Sequence, residues 1–276
     1  MSVNDYKFKF DTGFMGNRPF PITNEEEKVI RTIINGRHNA ILYGYKPERL
    51  ITVIKAVINR GVVHMEEPTP SVSLTDYCGR TGVLGKANNG ILIMENLDAF
   101  SDSVIRMTNI AMTEGQISLT KDDNVGMIPT KFCLIATFDS VSESESDWRP
   151  MLPVADNCSI VYRCMPPSDN MYNDYYSKTS IAQNVCRDWI NHVDVSQLKG
   201  KRNCEVSSLD ELKFTTEGKV LLEDTVLDKY YNKLEVAKVA RSVADMFGHT
   251  YIRTGDIETA KKLRGLVVNK GENNGY

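Results

Sequence analysis

ILYGYKPERL, residues Ile41 to Leu50, decides how this sequence is read. With Asn39 and Ala40 it gives a short apolar strand that runs through Gly44 into a helix opening near Pro47. Phosphate-binding loops sit at such a strand-to-helix turn. The loop form G-x-x-x-x-G-K-[ST], counted from Gly44, requires a glycine at 49, a lysine at 50 and a hydroxyl at 51. The chain has Arg49, Leu50 and Ile51. The turn is present and its phosphate chemistry is missing.

Upstream, Thr23-x-x-Glu26 has the form of a capping box, and Val29, Ile30, Ile33 and Ile34 continue one apolar helical face to Gly36. After the strand 39–43, a helix is predicted from Pro47 to Arg60, proline suiting its first position, followed by the strand VVHM from Val62. Past the loop 66–82, GILIMENLDAF places Ile91, Leu92, Ile93 and Met94 in a row, as a parallel strand covered on both faces requires. A helix through Val104, Ile105, Ile110 and Ala111 closes at Gly115, and QISLT, FCLIATF and CSIVYRC read as further strands. SVSESESD, between the last two, reads as an acidic loop. From Asp174 the pattern turns helical. Tyr175 to His192 reads as one helix; Leu227, Tyr230, Leu234, Ala237, Ala240, Ala244 and Phe247 line a face of another ending near Gly248; Asp256 starts a last one. Near the N-terminus, Tyr6, Phe8 and Phe10 alternate with lysines as in a short strand. The expected organisation is an extension at 1–22, an α/β sheet domain at 23–168, a helical region at 169–267 and a tail at 268–276.

Composition narrows the function classes. Basic residues number 33 against 36 acidic, so the net charge of −3 gives no whole-chain footprint for nucleic acid or an anionic membrane. Lys178, Arg187, Lys199, Lys201 and Arg202 are interleaved with Asp188, Asp194, Glu205 and Asp210, which reads as a solvated surface. Neither a signal-type apolar segment nor a membrane-spanning run stands out, and a cytoplasmic protein is expected. Six cysteines and four histidines are scattered singly, with no C-x-x-C pair, so buried free thiols are expected rather than a metal site or a His-centred catalytic group.

Taken in order, NGRHNAILYG, LGKANNGILIMENLDAF, EGQISL and LEVAKVARSVADMFGHTYIRTGDIETA resemble landmarks of the AAA+ ATPases of the magnesium-chelatase subunit I and ComM (YifB-like) group. The resemblance spans roughly Asn24 to Arg264. It implies a P-loop NTPase-type parallel sheet domain followed by a small helical lid domain. Its departures fall on the nucleotide site. Gly44 is present, but Pro47 has no amide hydrogen and Glu48 sets a carboxylate where the helix start would attract phosphate. Aligned on GILIMENL, the family's magnesium aspartate becomes Glu95 and its water-activating glutamate becomes Asn96. FCLIATFDS is similar to the sensor strand and puts Asp139 in place of an asparagine facing the γ-phosphate. WRPMLPVADNCSIVY resembles the arginine-finger segment with Asp156 matched and Asn157 at the finger, and the lid arginine position falls near Tyr231.

The resemblance and its departures together imply a pseudo-ATPase: an AAA+ module with no catalytic residue, no metal and no resident cofactor. It would act as a structural or regulatory subunit alongside protein partners, either further copies of itself or an active AAA+ subunit. The degenerate D subunit of magnesium chelatase is a precedent, although nothing in residues 1–276 resembles that subunit's acidic proline-rich linker or integrin-like domain, so a chelatase role is not expected. A rival reading keeps Gly44, Lys46, Arg49 and Glu95 as ligands of ATP and magnesium in an ATPase that remodels a protein or nucleic-acid partner. The plainer account makes Lys46, Glu48 and Arg49 a solvated helix start and Glu95 a solvated acid at a strand end. A third reading is a monomeric binding domain that uses the loop 66–82 or the acidic stretch 140–147.

Overall fold

The computed structural model describes residues 23–57, 62–65, 82–121, 124–138, 152–165, 203–224 and 232–264. The expected strand near Tyr6, the helix 175–192, Asp139, Tyr231, the acidic stretch and nearly all of the loop 66–82 lie outside these residues.

Strands β1 (Ala40–Gly44), β2 (Val62–Met65) and β3 (Ile91–Met94) precede a separate antiparallel hairpin, β4 (Gln116–Lys121) with β5 (Asn124–Pro129); β6 (Cys133–Phe138) and β7 (Ile160–Cys164) follow. β1, β2, β3, β6 and β7 make one all-parallel sheet in the order β2-β3-β6-β1-β7. Ala40 lies opposite Ile135 on one side and Ile160 on the other. Alternate residues feed different cores. Ala40 and Leu42 pack with one cluster, and Ile41 and Tyr43 pack with the other. Burial on both faces is why these strands read as continuous apolar runs rather than alternating ones.

The helices are α1 (Asn24–Gly36), α2 (Glu48–Val57), α3 (Val83–Lys86), α4 (Asp102–Glu114), α5 (Leu152–Asp156), α6 (Thr216–Asp224), α7 (Lys233–Met246) and α8 (Thr254–Leu263). Side chains of α1, α2, α7 and α8 cover one sheet face, and those of α3, α4 and α5 cover the other. The capping box forms as the sequence predicts: Thr23 Oγ1 accepts from the Glu26 amide at 2.9 Å, and Glu26 Oε2 accepts from the Thr23 amide at 2.8 Å. α6, α7 and α8 pack together, and α7 lies along α1.

α1 ends at Gly36, as the sequence suggests, and the glycine has a second role. Arg37 takes the left-handed cap conformation, with φ 53°. At Gly36 an added Cβ would fall 2.2 Å from both His38 Nε2 and Ser242 Oγ, so the residue allows α1 to close on α7. Asn39 anchors the start of β1: its Oδ1 accepts from the Leu134 amide at 2.8 Å and its Nδ2 donates to the Asn157 carbonyl at 3.3 Å.

Some predicted boundaries shift. α2 is described to Val57, the expected end at Arg60 lying outside the described residues; α7 begins at Lys233 behind an Asn232 cap, and Asp256 caps α8 from its third position by accepting from the Arg253 amide at 2.9 Å. Phe247 and Ile110, both assigned to apolar faces, are substantially exposed. β5 and α6 are elements the sequence reading does not contain.

Candidate functional site

From β1 the chain crosses to β2 at one sheet edge, and from β6 it crosses β1 to reach β7 at the other. Connections therefore leave in opposite directions at the carboxyl end of β1, which is where open parallel sheets form a crevice. The loop read from ILYGYKPERL lies there. Gly44 has φ +97°, and a Cβ on it would meet the Cys164 carbonyl at 2.7 Å. Only glycine passes so close to β7 in that conformation.

The groups available for a phosphate can then be followed along the loop. The Tyr45 amide donates to the Cys164 carbonyl at 2.9 Å, Pro47 has no amide hydrogen, and the Arg49 and Leu50 amides donate to the Lys46 and Pro47 carbonyls at 3.2 and 3.0 Å. Lys46, with φ 45°, holds an exposed side chain whose Nζ lies 5.6 Å from the centre of the Tyr45 ring. Arg49 turns inward. Its Nη2 donates to Glu26 Oε1 at 2.8 Å in a buried ion pair, and its Nε donates to the Lys46 carbonyl at 3.1 Å. The first turn of α2 also carries exposed Glu48. The Tyr45, Arg49 and Leu50 amides and the Arg49 guanidinium are thus engaged within the protein, and Pro47 has no amide hydrogen to offer a phosphate. Burial and the Glu26 carboxylate push the neighbouring Cys164 thiol up to about 12, with Arg49 opposing them, so this thiol stays protonated.

Glu95 and Asn96 stand at the end of β3, on the same side of the sheet as the loop. Glu95 Oε1 accepts from Lys55 Nζ of α2 at 2.7 Å. The ammonium lies against the carboxylate that a magnesium ion would need and competes with a metal for Oε1. Asn96 adopts a left-handed conformation with φ 55°, and its amide donates to Thr137 Oγ1 of β6 at 3.0 Å. Of the residues nominated from sequence, Gly44, Lys46, Arg49 and Glu95 thus sit at one end of the sheet, on β1, its loop, α2 and β3. Among the described residues no His, Cys, Asp or Glu group of three or more is placed to hold a metal.

Asp156 and Asn157 lie at the opposite end of the sheet, before β7. They border a cleft of about 550 Å³ that Ser159, Glu235, Lys238 and Arg264 also line. Two of its charges pair with each other: Glu235 accepts from Lys238 Nζ at 2.6 Å and also from Ser159 Oγ at 2.7 Å, while Arg264 Nη1 donates to the Cys158 carbonyl at 3.3 Å. Burial alone would raise the Glu235 carboxyl, but the hydrogen bonds from Lys238 and Ser159 hold it below its ordinary range. Beside it, His38 Nε2 and Ser242 Oγ are 2.7 Å apart, and Asn203 Nδ2 donates to the same hydroxyl at 2.8 Å. Both residues of this His–Ser pair are fully buried. Burial pushes the imidazole down to about 4, with Glu235 pulling it up and Lys238 pushing it down. A neutral, buried pair of this kind packs the end of α1 against α7.

Glu26, Lys55 and Thr137 are the site residues that sequence reasoning misses as site residues. Glu26 was legible as a cap, but its second oxygen's role depends on Arg49, 23 positions later. Neither a protein-family model nor the sequence of a curated protein matches the chain. Among the described residues, no helix is long and apolar enough to cross a membrane.

Proposed function

We propose that the chain is a pseudo-ATPase: an AAA+ module of the magnesium-chelatase subunit I and ComM kind that acts as a structural or regulatory subunit of a protein assembly. The parallel sheet, with the turn after β1 at its switch point, is compatible with a P-loop-like domain. The observation that carries the reading is the engagement of Arg49, whose guanidinium binds Glu26 and the Lys46 carbonyl instead of facing the crevice. We read α6 to α8, which fall within residues 169–267, as the counterpart of that family's lid, although α7 and α8 here pack on the sheet face. Partners are other proteins, either copies of this chain or an active AAA+ subunit.

Calorimetric titration with magnesium and ATP, run beside a phosphate-release assay, tests this. The expected result is no binding down to about millimolar affinity, roughly −4 kcal/mol, and no release. Binding with turnover overturns it. The exposed Lys46 and the partly exposed Glu95 favour a second reading, an ATP-binding AAA+ ATPase with rearranged ligands. Turnover abolished by Glu95→Gln identifies that case.

A further inference from the structure

We propose that Arg49 and Lys55 are built-in counter-cations that fix the crevice at the carboxyl end of β1 in one ligand-independent conformation, an inference that rests on the pseudo-ATPase reading. Both cations come from α2, one from its first turn and one from its last. They point to different elements. Arg49 reaches Glu26 on α1 at 2.8 Å, and Lys55 reaches Glu95 after β3 at 2.7 Å. α2 is therefore clamped at both ends, to a helix on its own side of the sheet and to the residue that follows β3.

The Arg49 clamp is more than a single ion pair. Glu26 uses Oε1 for Arg49 and Oε2 for the Thr23 amide, so the carboxylate that holds the loop also closes the first turn of α1. Arg49 uses Nη2 for Glu26 and Nε for the Lys46 carbonyl, which supports a non-glycine residue at φ 45°. Thr23, Glu26, Arg49 and Lys46 thus form one chain of hydrogen bonds from a helix cap to the loop. Lys55 and Glu95, next to Asn96 with its amide on Thr137, do the same for the other wall. A loop that closes around an anion keeps its cations available for that anion. Here the protein's own carboxylates take both cations of α2, and Lys46 is the exposed cation of the loop.

Hydrogen exchange read by mass spectrometry on the full chain, with and without millimolar magnesium–ATP, tests the proposal. In the wild type, peptides covering 23–30, 44–52 and 92–97 should exchange slowly and identically in both conditions. Arg49→Met should accelerate 44–52 and 23–30 together, by about tenfold or more beyond any acceleration seen in α7 and α8, which report the global loss of stability. Arg49→Lys, which keeps the charge but loses the fork, should accelerate the same two peptides less. It also serves if the methionine variant does not fold. Lys55→Met should accelerate 92–97, and the exchange of charges in Lys55→Glu with Glu95→Lys should restore it. Acceleration of 44–52 with 23–30 unmoved, in either Arg49 variant, overturns the proposal alone. A wild-type response to magnesium–ATP accompanied by phosphate release overturns the pseudo-ATPase reading as well.

Discussion

Arg49 and Lys55 carry the same charge on the same helix, and their environments give them different weights. Arg49 and Glu26 are both buried, so losing one partner strands the other as an uncompensated charge. Arg49→Met is expected to cost about 3–5 kcal/mol in urea unfolding. The Lys55 and Glu95 side chains are 37% and 28% exposed, so Lys55→Met should cost about 1 kcal/mol or less. His38 sets a pH dependence. Its unfolded imidazole takes up a proton near pH 6.5 and its folded one near 4, so the stability gained by keeping it neutral is complete above 6.5 and is lost as pH falls toward 4. The loss is roughly 3 kcal/mol across that window. Glu235, held below the ordinary carboxylate range, adds its own loss only at more acid pH. Urea midpoints that decline between pH 6.5 and 5, and a flatter profile in His38→Gln, would identify the histidine.

Elements were legible where local chemistry alone determines them. The Thr23–Glu26 box and the runs Ile41–Tyr43, Ile91–Met94 and Cys133–Phe138 each carry their cause within a few residues: reciprocal capping bonds, or burial on both sheet faces. β5 escaped because Gly126 and Pro129 punctuate it, and α6 because it is short and holds Gly218. The candidate site was half legible. Sequence located Gly44, Lys46, Arg49 and Glu95 and noted the missing glycine, lysine and hydroxyl, but the partners that engage Arg49 and Glu95 come from elements far along the chain. Two glycines show the same limit and should respond with opposite signs. Gly36→Ala forces a Cβ into His38 and Ser242 and is expected to cost about 1–3 kcal/mol. Gly255, in the first turn of α8, has open space where its Cβ would stand, so Gly255→Ala should stabilise by about 0.5 kcal/mol. Thermal unfolding of the two variants checks both.

For the whole molecule, the helical layer is tied to the sheet by specific polar contacts as well as by packing. Ser159 with Glu235, Arg264 with the Cys158 carbonyl, and His38 with Ser242 all cross that boundary. Sheet and helices should therefore unfold together, with calorimetric and van't Hoff enthalpies in agreement. Two separated transitions would show that α6 to α8 form an independent unit. The sheet order has a consequence for how the chain is made. β1 lies near the centre, yet the hydrogen bonds that anchor its start reach across 95 positions to Leu134 and 118 to Asn157. At a synthesis rate of about 5–20 residues per second, β1 leaves the ribosome roughly 5–20 s before its neighbours exist. During that interval AILYG is an apolar segment with both edges unpaired, and it depends on chaperones, or on early cover from α1, to avoid pairing with another nascent chain.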